Sequence, residues 1–134
     1  MTDEEEIRQV MARYCFHVDR DEWAPWVALF SDDASWQATD YGPFKGQAGI
    51  QKLASNLAKR HEASPVFRRH TISNEIISVD GDTARMRSYV TVVLGDDRRI
   101  STIGDYEIEL VKRGGHWRIH ALMFNNPAAK PRTA

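Results

Sequence analysis

Cysteine occurs once in the 134 residues, at Cys15, so neither an intramolecular disulfide nor a cysteine-based zinc site can form. Excess charge is missing too. Eighteen Lys and Arg face nineteen Asp and Glu, a net charge of -1 that gives no electrostatic footprint for nucleic acid. No apolar run approaches the ~18 residues of a membrane span, and the acidic start Asp3-Glu4-Glu5-Glu6 is the opposite of a basic targeting leader. The expected setting is therefore cytoplasmic and reducing, without a nucleic-acid or membrane partner. Also absent are a Gly-x-Ser-x-Gly elbow, a phosphate-binding glycine loop and a His-Glu-x-x-His metal spacing, so neither metal nor cofactor is expected. What is present is 42% hydrophobic and 28% charged residues, the composition of one globular domain. We place it at residues 1–126, followed by a flexible tail over 127–134.

Apolar positions Ile7, Val10, Met11, Tyr14 and Val18 predict an amphipathic helix over residues 3–19, opened by Thr2 or Asp3 with Glu5 or Glu6 in a capping box. Asp21 is read as the cap of a second short helix through Trp23, Trp26, Val27, Leu29 and Phe30, with Pro25 in its first turn. A short strand around Trp36 leads to a loop at Asp40-Tyr41-Gly42-Pro43. Ile50, Leu53 and Leu57 mark a third helix over about 47–61. The second half alternates with period two. Segments 68–79, 83–94, 98–111 and 116–125, separated by Asp80-Gly81-Asp82, Gly95-Asp96-Asp97 and Arg113-Gly114-Gly115, predict an antiparallel meander. The fold class is α+β, about three N-terminal helices packed on a curved antiparallel sheet, which makes a cone with a mouth.

Asp19 closes the first helix, where the dipole disfavours a carboxylate unless a donor meets it. Period two puts His70, Ile72, Asn74 and Ile76 of the first long strand on one face, and the isoleucines point that face inward. An imidazole against a buried carboxylate is a general-base arrangement, in which the carboxylate orients the ring and stabilises its protonated form. Tyr14 can donate to a substrate oxygen and Asn74 can align it; Trp36, Phe44, Met86, Tyr106 and Met123 are candidates for the wall of an apolar cavity. Each also has a plainer reading: Asp19 as a turn cap, His70 as a satisfied histidine, the aromatics and methionines as core. Tyr89, Val93, Leu122 and Phe124 are assigned to the outer face of the sheet, as a contact for a homodimer or other homo-oligomer.

The segments Tyr14 to Asp19, Leu29-Phe30-Ser31-Asp32-Asp33-Ala34, Gly46, Arg69-His70-Thr71-Ile72-Ser73-Asn74, Gly104-Asp105-Tyr106 and Trp117-Arg118-Ile119 resemble the SnoaL-like branch of the cone-shaped nuclear-transport-factor-2-like superfamily. The similarity is greatest to the bile-acid 7α-dehydratase and lindane dehydrochlorinase types, with scytalone dehydratase more distant. It implies that Asp19 and His70 form a catalytic dyad and that Tyr14 matches the dehydratase tyrosine. Ala121 stands where the dehydrochlorinase type has a long cation, and Thr102 near where scytalone dehydratase has a second histidine. The implied activity is a cofactor-free lyase of dehydratase type acting on a hydrophobic oxygenated cyclic small molecule. Isomerisation or polyketide cyclisation by the same dyad, or noncatalytic ligand binding or dimerisation, are the alternatives.

Overall fold

The computed structural model describes residues 1–95 and 97–129. Helix α1 (Asp3–Asp19) opens on the expected capping box: the Thr2 hydroxyl accepts the Glu5 backbone N–H and the Glu5 carboxylate accepts the Thr2 N–H, both at 3.1 Å. Its buried stripe is Ile7, Val10, Met11, Tyr14, Cys15 and Val18. Helix α2 (Trp23–Val27) is shorter than its apolar pattern implies, because Phe30 already belongs to β1 (Phe30–Ala38), where it lies beside Ile119. The segment read as a loop at Asp40 to Pro43 pairs with β1 instead, giving β2 (Tyr41–Lys45). Helix α3 (Gly46–Ala63) follows, then the meander β3 (Arg68–Asp80), β4 (Thr83–Leu94), β5 (Arg99–Arg113) and β6 (His116–Asn125). The tail assigned from residue 127 lies partly outside the described residues.

The strands form one sheet in the order β2-β1-β6-β5-β4-β3, antiparallel throughout except where β1 runs parallel to β6. The helices cover its concave face. Trp36, Met86, Val90, Tyr106, Ile108, Leu110, Ile119 and Leu122 point inward from the strands to meet Tyr14, Trp26, Ile50 and Leu53 from the helices. The first turn of α1 is tied to the far end of the sheet through Asp3, which accepts the Trp117 indole N–H at 2.9 Å and pairs with Lys112 at 3.2 Å. These partners, Trp117 first, hold the Asp3 carboxyl below its usual value. The tie is therefore complete above about pH 4 and weakens as the pH falls below it.

Three irregularities in the ladders of the meander reverse the alternation predicted from period two. In β3 the register shifts between Ser73 and Ile76, where Asn74 takes a left-handed φ of 57°. His70 and Ile72 face inward as expected. Asn74 is exposed and Ile76 is 66% exposed, while Ile77 and Val79 take over the inner face. In β5 a shift opposite Val92 and Val93 turns Ile100 out of the expected inner row, leaving it 59% exposed. In β6 the shift comes at His120, so Leu122 and Phe124 face the core. Both leave the outer face assigned to them from the sequence. Met123 is turned the other way, opposite Glu107 and Gln37 on the outer face, and it lines no part of the interior.

Gly104 lies where the end of β6 leaves no room for a side chain. A Cβ there would meet the Asn125 carbonyl oxygen and the Phe124 ring, and the backbone oxygen cannot retreat without moving β6. Gly104→Ala is expected to destabilise the fold by about 1–3 kcal/mol; urea unfolding followed by tryptophan fluorescence measures it, and an unchanged midpoint would show that β6 yields freely.

Candidate active site

Asp19 and His70 meet. Asp19 Oδ1 lies 2.6 Å from His70 Nδ1, and Asp19 Oδ2 accepts the backbone N–H of His70 at 2.9 Å. The Asp19 side chain is only 5% exposed and that of His70 17% exposed. The donor demanded by a carboxylate at a helix C-terminus is thus supplied twice by one residue. With Nδ1 occupied, the orientation of the ring is set and Nε2 is the nitrogen left for chemistry.

Tyr14 stands at the centre of an aromatic cluster, with its ring 5.5 Å from Trp26, 6.2 Å from Phe30 and 5.9 Å from Tyr106. Its hydroxyl oxygen accepts the Trp36 indole N–H at 3.0 Å, which leaves its own proton available to donate. Burial pushes the Tyr14 phenol well above its ordinary pKa and does the same to Tyr106, so both stay protonated. Phe44 packs on Trp36 at 6.3 Å. Met86 is 1% exposed, between Ile77 and Ile108 on the ladder, and so takes its place in the packed core. The structure thus groups Asp19 with His70, and Tyr14 with Trp36, Tyr106 and Phe44. Asn74 and Met123 are not brought to either group.

Several polar groups escaped the sequence reading. Asp21, read as a helix cap, has a φ of 57° and holds His61 Nδ1 through its Oδ1 at 2.5 Å, and the His61 ring lies 5.3 Å from that of Trp23. Forty residues separate this pair, and no spacing announces it. Glu75, turned inward by the β3 irregularity, pairs with Arg8 at 3.3 Å. Ser88, across the ladder from Tyr106, is 4% exposed with its hydroxyl unbonded among the described residues. A cavity of about 800 Å³ opens between α2 and α3, bordered by Trp23, Val27, Ile50, Ala54 and Arg118; Tyr14, Asp19 and His70 do not line it.

Cys15 is 7% exposed, and burial pushes its thiol up to about 12, with Asp19 and Glu75 adding to the effect. No group of three or more potential metal ligands occurs among the described residues, and none of their helices is long and apolar enough to cross a membrane.

A curved, mostly antiparallel sheet with three helices packed on it is the cone-shaped nuclear-transport-factor-2-like fold. Residues 1–123 match the SnoaL-like domain, and the chain belongs to that family. Among solved structures it is similar to a Nostoc punctiforme protein of unknown function with a cystatin-like fold, at 26% identity and a TM-score of 0.83 over 96% of this chain and 94% of that one. An NTF2-like protein from Novosphingobium aromaticivorans matches at 21% identity and a TM-score of 0.81, over 96% of this chain and 84% of that one. A proposed scytalone dehydratase from the same organism shares the fold at 20% identity and a TM-score of 0.79, over 98% of this chain and 89% of that one. None of the curated proteins matches.

The Cys15 thiol is expected to resist Ellman's reagent in the native protein at pH 8, because the thiolate is the nucleophile and burial suppresses it. One equivalent should react in denaturant. Native labelling at the denatured rate would mean that the α1 interface opens readily.

Proposed function

We propose that this protein is a cofactor-free lyase of dehydratase type acting on a hydrophobic, oxygenated cyclic small molecule. The carrying observation is the double hydrogen bond from His70 to a nearly buried Asp19. In this reading His70 Nε2 removes the proton on the carbon next to a carbonyl. The electron pair passes into an enolate, and its return expels the neighbouring hydroxyl as water, with the proton given back by the imidazolium so that His70 ends neutral. Asp19 holds the ring by Nδ1 and stabilises the imidazolium it becomes. Tyr14, kept protonated by burial, donates to the enolate or leaving oxygen. Trp36, Tyr106 and Phe44 supply the apolar wall.

The test offers cyclic β-hydroxy ketones and follows the loss of one water by mass spectrometry. His70→Ala and Asp19→Asn, each of which keeps a partner for the hydrogen bond between the residue 70 backbone N–H and the residue 19 side chain, are expected to lower turnover by about 10²–10⁴-fold with the circular dichroism spectrum unchanged. Near-normal turnover in either variant would remove the dyad from the mechanism, and a product of unchanged mass would replace elimination by isomerisation.

We also propose that the protein works as a homodimer through the outer face of the sheet. Ile76, Tyr89 and Ile103 are there more than half exposed, around the cross-strand pairs Arg85 with Glu109 and Arg87 with Glu107. Light scattering is expected to give twice the chain mass for the native protein and a single chain mass for Ile103→Asp. A monomeric native protein at micromolar concentration would refute this.

A further inference from the structure

Beside the dyad, on the same inward face of β3, lies Arg68, one pleat before His70 and paired across the ladder with Leu94. It is 9% exposed. Buried guanidinium groups ordinarily face a carboxylate, because desolvating an unpaired charge is costly. No carboxylate of the described residues lies within ion-pair distance of Arg68; its one hydrogen bond runs from NH2 to the Ser64 carbonyl oxygen at 3.2 Å. That bond is a contact with the C-terminal end of α3 and occupies one of five guanidinium N–H donors.

The surroundings repeat the pattern. Asp19 and Asp21, two residues apart at the end of α1, each hold the Nδ1 of an imidazole, His70 and His61. Asp19 and Asp21 are thus committed to histidines, and Arg68, between the end of α3 and the dyad, has no counter-charge among the described residues. The pKa of His61 is lowered, first by burial and further by the charges of Arg68 and His70, although Asp21 pulls it upward.

We propose that Arg68 anchors an anionic oxygen of the ligand, so that the hydrophobic substrate enters as a carboxylate with its acid group at the rim and its reacting carbon toward His70. The assignment rests on the lyase reading for what His70 then does, but the recognition itself is a binding property. Arg68 is a specificity residue, and the guanidinium fork suits the two oxygens of a carboxylate.

Binding without turnover tests it. Naphthalene-1-carboxylate and the uncharged 1-naphthalenemethanol are titrated calorimetrically into the intact protein, Arg68→Gln and His70→Ala. The native protein is expected to bind the carboxylate about ten-fold or more tighter than the alcohol, the size of one charged hydrogen bond. Arg68→Gln should bind the two equally, and His70→Ala should keep the preference. A native protein without the preference overturns the proposal. So does an Arg68→Gln variant that keeps it while melting at a lower temperature, because Arg68 would then only cap α3. Loss of the preference in His70→Ala alone would transfer the role to the imidazole. Absence of dehydration in the turnover assay, by contrast, removes the lyase reading and leaves these titrations standing.

Discussion

His70 gives two hydrogen bonds to Asp19, one from its backbone and one involving its ring, and together they fasten the end of α1 to the beginning of β3. At the other end of the same helix, Asp3 is fastened to Trp117 and Lys112. A helix held at both ends across a concave sheet cannot roll. Tyr14 must therefore point into the cone, and Cys15 must press against the sheet. The arrangement of Trp26, Phe30 and Tyr106 around the Tyr14 ring follows from that fixed axis. The contact that orients the imidazole is also the contact that sets the helix, which joins structure and chemistry in one pair of residues.

Such economy restricts the interior. A cone of this size has one inner surface, and a polar group placed there displaces apolar contact and requires a partner. Asp19, Tyr14 and His61 have theirs. Ser88 and the Trp26 indole nitrogen are buried without one among the described residues. The aromatic rings among the aliphatic side chains meet edge to face or at a tilt, an arrangement that suits their quadrupoles.

Much of this was legible in the sequence. The apolar stripe of α1, its capping box and the turn residues of the meander each follow from a local rule, and His70 and Asp19 could be named because each sits at a defined end of a predicted element. The meander residues assigned to the wrong face in the sequence reading lie at or beyond a ladder irregularity. Period two carries a face assignment only as far as the next extra residue, so the shift at Asn74 exposed both Asn74 and Ile76, and the one at His120 exchanged Leu122 and Phe124 with Met123. Nothing in Ser-Asn-Glu or Ile-His-Ala marks a bulge unaided. Pairings distant in sequence were invisible for another reason: Asp21 with His61 and β1 with β6 depend on how whole elements dock.

The parallel seam between β1 and β6 bears on the order in which the molecule assembles. Each hairpin of the meander closes on a short turn, whereas Phe30 beside Ile119 joins segments from opposite halves of the chain. Loop closure of that length makes this pairing slow to form compared with any neighbouring hairpin. Helix α1 precedes every strand of the sheet and packs on both β3 and β6, so its apolar stripe is fully covered only once β6 has docked. The cone is sealed when β6 docks beside β1, and apolar surface of α1 still open before then is a point of exposure for the incomplete fold.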